Sequence, residues 1–569
     1  AERYKDVSNI HGWDAWNELR WNVQADGYVC YCDHTMARYR NWLSEKYGGL
    51  EGLNEAWKRR YVNWNDVLPG KQPDRTYTEM MAFQHFLTWR SSQHAIDRYQ
   101  VIKAVAPHHT VTVHGGKPSP LYAGGREMWD QTLNRGNDWD MAEVIDGVGT
   151  SSFPIWEGID DAAFGNRVEF SRSAAASNGK QLWLSEVQGG RSATGFNLYN
   201  PVDAASQQRW IWNGIASGAD TILFWCWRNE IFGRESGGFG LAGDDGLADE
   251  RLSAMRKTHE VITENKAMVE NYQVNQGNVG VFFSPQSYYL HWSQDETAKK
   301  IMNSVQGYCR ALVRKSIPYR VVEEKHLDVL QDVDILFLPR MMVATPKVEA
   351  ALTDFVKGGG TLVCESECGT FDPVGIYKYP EQRFTAKLVG GKEVGRRNIT
   401  ANQVKVNYAE KHFVLHLHQW MTPWDVAEAK VYCSDKDGAL VSEVSVGDGK
   451  VILIGSYLGQ AYFDDWYAGF EDFLEAVCLQ NGVKQEAVSQ GVEVKSDSFV
   501  YIKTGESQGK KMVFVFFPKD EDEVTVKFAD GFLKSIALEE CIEKKPYRIV
   551  NNEVTLKATD LRVSVLMEA

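Results

Sequence analysis

The chain has 569 residues and a formal net charge of −14, with 76 Asp and Glu against 62 Lys and Arg. That length predicts two to four domains with a large core, and the acidic balance argues against a nucleic-acid partner or an anionic membrane surface, both of which favour basic patches. No run of about 18 or more apolar residues occurs, so no membrane-spanning helix is expected.

Residues 8–16 read as an aromatic strand carrying Ile10, Trp13 and Trp16 and ending in Asn17 and Glu18. A carboxyl group packed by aromatic rings is desolvated and keeps its proton until a leaving oxygen needs it. Glu18 is therefore the candidate general acid/base, and Asn17 offers an amide to a ring hydroxyl. A loop through Cys32 leads to a helix over 35–46 stopped by Gly48 and Gly49. A second helical stretch, LEGLNEAWKRRY, puts Leu50, Leu53, Ala56, Trp57 and Tyr61 on one face. Residues 77–106 form one long helix ended by Pro107, followed by a strand over 110–114. Strands at 148–153, 181–186 and 221–227 then alternate with helices at 139–145, 161–178, 204–217 and 251–269.

Strands alternating with helices over 270 residues predict parallel β/α units. Five strands are present where an eight-fold barrel needs eight, so the reading is the C-terminal part of a (β/α)8 barrel whose three other units lie upstream; an open five-stranded sheet is the alternative. In such barrels chemistry sits at the C-terminal strand ends. The five strands end in Asn17-Glu18, His114, Ser151 to Phe153, Ser185-Glu186, and Trp225 to Arg228. Two end in glutamate, and a carboxylate pair about 5–5.5 Å apart is what retaining glycoside hydrolysis requires. Glu186, at the end of QLWLSE and before Gly189-Gly190, is the candidate nucleophile.

The phrases GWDAWNE, CYC, YRNWLSEKYGGLEGLNEAW, LWLSE and GADTILFWCWR resemble glycoside hydrolase family 42, the β-galactosidases of the Asn-Glu clan of barrel hydrolases. The resemblance implies Glu18 as acid/base, Asn17 as the contact to the sugar 2-hydroxyl and Glu186 as nucleophile. In WRNEIFGRESGGFG it implies Glu235 as a ligand of sugar hydroxyls, with Trp225 or Trp227 as a stacking wall. The family often holds a structural zinc through Cys-x-Cys-x-x-Cys and an upstream cysteine. Here Cys30 and Cys32 are followed by Thr35, His34 being an acceptable substitute ligand; two thiols make a weak site, and no metal is expected. The nine cysteines are odd in number and scattered, so no disulfide framework is expected.

A second region, 275–484, reads as a doubly wound, flavodoxin-like sheet with strands at 279–284, 318–322, 334–339, 361–366 and 450–455, interrupted by β structure near 398–446. It resembles class I amidotransferases in fold, yet Cys364 lies inside TLVCES and Cys368 has no evident His partner, so that chemistry is not expected. No G-x-G-x-x-G or Walker sequence follows its first strand, so phosphate binding is not indicated. Residues 485–569 alternate as a small β-sandwich. The domain reading is thus 1–270 catalytic barrel, 275–484 flavodoxin-like domain of trimerisation type by resemblance, and 485–569 C-terminal β domain.

The expected activity is retaining exo-hydrolysis of a terminal sugar, β-D-galactose by resemblance, with no cofactor; a β-mannosidase or galactan-oligosaccharide hydrolase of the same clan is the alternative. A non-catalytic carbohydrate-binding or assembly fragment is the alternative of another class, because absent barrel units would leave the site open and the chain poorly active. The expected partners are a glycoside and further copies of the chain.

Overall fold

The computed structural model describes residues 1–20, 30–71, 76–124, 135–492 and 494–569. The chain forms two compact units, residues 1–145, 280–308 and 321–470 making the first and 146–279, 309–320 and 471–569 the second.

In the first unit the strand expected over 8–16 is only three residues long, β1 (Gly12–Asp14), because its parallel partner β2 (Thr110–His114) matches it only from Thr110 to Thr112. The first helix, α1 (Asp33–Tyr47), ends where Gly48 takes φ 70°, a left-handed turn that glycine adopts without strain. Next, α2 (Leu50–Trp57) stops at Lys58, also left-handed. The long helix α3 (Thr78–Val105) has 28 residues, about 42 Å at 1.5 Å per residue, and ends just before Pro107, which disfavours helical backbone in the residue preceding it. Tyr39 of α1 packs at 5.2 Å between ring centroids on both Phe83 and Phe86 of α3.

The same unit holds a nine-stranded sheet. Its first part is β3 (Val279–Phe283), β4 (Tyr319–Glu323), β5 (Ile335–Leu338), β6 (Thr361–Cys364), β7 (Gly438–Val446) and β8 (Gly449–Ile454), in the spatial order β4-β3-β5-β6-β8-β7. Parallel pairing runs from β5 to β6 to β8, and β7 returns antiparallel to β8. ILFL and TLVC are buried at every position, which is why they read as continuous apolar runs and not as alternation. Three helices here were not anticipated, Phe384–Val389, Leu458–Asp464 and Pro285–Asp295, the last capped by the Ser284 hydroxyl accepting from the Ser287 amide, with proline at its start.

In the second unit three parallel strands lie side by side: β9 (Gly147–Ser152), β10 (Gln181–Gln188) and β11 (Thr221–Trp225). Two further antiparallel sheets, of three and six strands, close this unit. The strand Lys510–Phe516 feeds two cores. Val513 and Val515 point into a cluster with Val526 and Leu566, and Met512, Phe514 and Phe516 into one with Ile211 and Trp212. Alternation across a strand with both faces buried explains the unbroken apolar reading of MVFVFF. Each fully buried Val or Phe there contributes about 1.5–3 kcal/mol.

Candidate active site

The predicted site residues fall into two groups, one in each unit. In the first unit, Asn17 and Glu18 follow β1, and Glu18 takes φ 45°, a left-handed backbone seldom adopted by a residue other than glycine and common where a side chain is held for function. Its carboxylate is one-third exposed and faces the Arg20 guanidinium at 3.7 Å, a cationic neighbour that the aromatic packing expected from the sequence did not include.

Asn17 is held by a residue to which the sequence reading gave no role. His114, at the end of β2 and 1% exposed, accepts the Gly116 amide at Nδ1 (3.2 Å). With Nδ1 accepting, the neutral imidazole carries its proton on Nε2. That nitrogen lies 3.0 Å from Asn17 Oδ1 and 3.2 Å from Asp14 Oδ2. Donation to Asn17 Oδ1 leaves the Asn17 amide NH2 directed elsewhere, free in sense to donate to a hydroxyl. The signal available in the sequence was only that His114 ends a strand.

In the second unit Glu186 sits in a β-bulge. Thr150 pairs with Leu184 but the next residue, Ser151, pairs with Glu186, and on the other side Leu184 and Val187 oppose Ile222 and Phe224. The extra residue breaks the in-out alternation and re-aims the side chain, as bulges beside active sites do. Gly149 makes room for the extra residue, Ser185, since a Cβ there would lie 2.1 Å from the Ser185 hydroxyl.

The loop after β11 carries Glu235. The Trp225 indole donates to Glu235 Oε2 at 3.2 Å, whereas Trp227 is 65% exposed, so Trp225 is the ring that the structure fixes beside a carboxylate. Backbone bonds lace this loop to the turn after Glu186: Gly190 donates to the Phe239 carbonyl (3.0 Å) and Phe239 to the Arg191 carbonyl (2.7 Å). A Cβ on Gly190 would stand 2.1 Å from the Gly240 carbonyl oxygen, so a side chain is excluded where the two backbones meet. Arg251, wholly buried, donates to the carbonyls of Val202 (2.9 Å), Gly240 (3.2 Å) and Leu241 (2.9 Å) and to Asp245 (2.8 Å). It is a structural clamp on the later part of the loop that carries Glu235, and the strand-end reasoning missed it because its signal lies in a helix.

At the expected zinc position, Cys32 is exposed, Cys30 partly buried, and the Cys32 thiol lies 3.5 Å from the Thr35 hydroxyl. A hydroxyl in the third position does not complete a thiolate and imidazole donor set, and among the described residues no group of three or more His, Cys, Asp or Glu is placed to hold a metal. No helix among them is long and apolar enough to cross a membrane.

A family model described as "Beta-galactosidase", of glycoside hydrolase family 42, matches residues 1–268, and one described as "Beta-galactosidase trimerisation domain" matches 277–475. Among relatives, a β-galactosidase of Clostridium cellulovorans is 20% identical over 476 residues, covering 82% of this chain and 69% of its own. One of Haloferax lucentense is 22% identical over 493 residues, covering 82% and 70%. The solved structure of a β-galactosidase from Bacillus circulans sp. alkalophilus superimposes with a TM-score of 0.78 at 16% identity, over 100% of this chain and 80% of that one. The fold is accordingly α/β and TIM-barrel-like.

Proposed function

Since the chain belongs to glycoside hydrolase family 42 and is a glycoside hydrolase, we propose that it releases terminal β-D-galactose with retention of configuration, using Glu186 as nucleophile and Glu18 as acid/base. Glu186 attacks the anomeric carbon, the bond to the leaving oxygen breaks, and Glu18 delivers the proton that this oxygen takes. Glu18 then removes a proton from water, which attacks the anomeric carbon and frees Glu186. The ionised Glu186 also stabilises the positive charge that develops on the ring in each transition state.

The observation that best supports the reading is the bulge that singles out Glu186 at the end of its strand. Asn17, oriented by His114, is assigned to the sugar 2-hydroxyl. Trp225 is assigned as the apolar platform, Trp227 as a more outlying aromatic contact, and Glu235 as acceptor for sugar hydroxyls. No step requires a metal or organic cofactor.

We also read 1–270 as the catalytic barrel, 275–484 as a flavodoxin-like domain with a β insertion near 398–446, and 485–569 as a C-terminal β-sandwich. The strand order β4-β3-β5-β6-β8, which is 2-1-3-4-5 in chain order, supports the second of these. The description of the family model over 277–475 supports a homotrimer built through that region, checked by light scattering on the purified chain.

The activity is tested by hydrolysis of aryl β-galactoside, β-glucoside, β-mannoside and β-fucoside. Preference for the galactoside, with the β-anomer of galactose as first product by NMR, is the expected result. Preference for the mannoside, or first release of the α-anomer, would refute the sugar or the stereochemical assignment respectively.

A further inference from the structure

The first unit contains a cavity of about 750 Å³ that none of the proposed catalytic residues lines. Its size falls within the ~300–1,000 Å³ of small-molecule sites. One wall is aromatic. Phe371 meets Tyr77 and Tyr377 edge-on, at 6.2 and 5.7 Å between centroids, and Trp420 lies under the Arg396 guanidinium at 4.1 Å.

Three polar residues of the lining, Arg340, Glu367 and Gln419, have φ of 45°, 61° and 67°. Residues of these types seldom take left-handed backbone, and three around one cavity mark a place where side-chain direction is held against a conformational cost. Glu367 is locked by charged and hydroxyl partners. Glu367 accepts from Arg396 (2.8 and 3.3 Å) and from the Tyr457 hydroxyl (2.7 Å), and its amide donates to Glu393 (2.7 Å), which also pairs with Arg383. Arg340 differs. It is 1% exposed, its two terminal nitrogens donate to the neutral amide oxygens of Gln419 and Gln460 (both 2.9 Å), and its Nε has no hydrogen-bond partner among the described residues. The same holds for Nε2 of His291, 7% exposed on the same lining.

The carboxylates of Glu365, Glu367 and Asp295 act on this guanidinium from nearby, yet among the described residues none accepts from its side chain, and a buried donor left without an acceptor is costly until a ligand supplies one. Carboxylates and cations in one cavity suit a ligand whose hydroxyls both donate and accept, and aromatic faces suit the C–H faces of a sugar ring. We infer that this cavity is a second binding site, separate from the hydrolytic centre, for a short saccharide bearing a negative charge, with Arg340 as the residue that meets the charge and Trp420 in the wall that meets the ring.

Calorimetric titration of the full chain carrying Glu186→Gln with digalacturonate, with 3′-sulfated lactose and with lactose tests this. Binding of one or both charged probes is expected, weakened about tenfold or more by Arg340→Gln and by Trp420→Ala, with lactose binding unchanged by either. The two charged probes distinguish a carboxylate from a sulfate ligand. Because Arg340→Gln removes two hydrogen bonds to glutamines, Trp420→Ala and circular dichroism guard against a folding artefact. Absence of binding by both charged probes, or binding indifferent to both substitutions, overturns the inference. So does a change of oligomeric state in Trp420→Ala as its only effect, since the cavity wall would then serve assembly.

Discussion

The indole nitrogen of Trp225 donates a hydrogen bond to the carboxylate of Glu235 at 3.2 Å. This bond adds a side-chain tie to the backbone bonds, such as Cys226 to the Phe239 carbonyl (2.9 Å), that hold the loop against the end of the last strand of the parallel set. It sets the angle of a ring and the position of an acceptor with one contact.

Trp225→Phe keeps an aromatic face and removes the donor. The expected effect is a fall in kcat/KM for aryl β-galactosides of about tenfold, roughly what one hydrogen bond to a charged group supplies. Glu235→Gln should fall at least as far. Steady-state kinetics of both and of the double variant check this, the double variant costing less than the product of the singles. Fully multiplicative losses would mean that the two side chains act independently.

His114 is a positioning residue. His114→Ala should lower kcat/KM about tenfold for a galactoside, and far less for the corresponding 2-deoxygalactoside, because the interaction that it orients is then absent from the substrate. Equal losses on both substrates would show that His114 supports the fold alone.

Arg251 and Asp245 form the buried pair under the Glu235 loop. Burial pushes the Asp245 carboxyl up, but the Arg251 guanidinium and the Arg191 and Leu247 amides outweigh it and hold the group below its ordinary value of 3.8. A depressed carboxyl contributes stability that is present in full above its unfolded value and is lost as pH falls through the folded one. The wild type should therefore lose this contribution progressively below pH 3.8. Arg251→Met takes the buried cation from the Asp245 carboxylate and the donor from the Val202 and Leu241 carbonyls, and should cost about 3–5 kcal/mol. Thermal melts between pH 3 and 7 measure both effects, and Asp245→Asn should flatten the low-pH part of the curve.

The exposed Cys32 thiol is lowered to about 7 by hydrogen bonds, first from the Thr35 hydroxyl, then from the Thr35 amide and Cys30. Iodoacetamide should label it with a midpoint near pH 7, ahead of buried Cys309, Cys364 and Cys478. Thr35→Val should move that midpoint upward. Peptide mass mapping across a pH series reads the result.

Much of the helix and strand pattern was legible because its physical signals are local. The Thr-Val alternation of 110–114 gave a strand with those same bounds, and Pro107 marked the end of the long helix. The first strand was overextended because the apolar residues of 8–16 read as strand although only Gly12–Asp14 finds a pairing partner. The helix Pro285–Asp295 had a readable start in Ser284-Pro285 and was passed over. At the candidate site, polling the strand ends is what nominated the two glutamates. The bulge at Glu186, the tautomer-fixing contact of His114 and the clamp of Arg251 could not be found that way, since each depends on register or on burial between segments distant in sequence. For the same reason nothing in the sequence singled out Arg340, whose interest lies in neutral partners brought from Gln419 and Gln460.

The central claim is the division of labour between Glu186 and Glu18, and azide rescue of their alanine variants on an activated aryl β-galactoside tests it most directly. In Glu186→Ala, azide takes the place of the missing nucleophile on the face opposite the leaving group, so the account predicts restored turnover and α-galactosyl azide. In Glu18→Ala, azide attacks the covalent intermediate from the other face, and the predicted product is β-galactosyl azide. The reverse pair of products, or undiminished activity in Glu186→Ala without azide, would contradict the assignment.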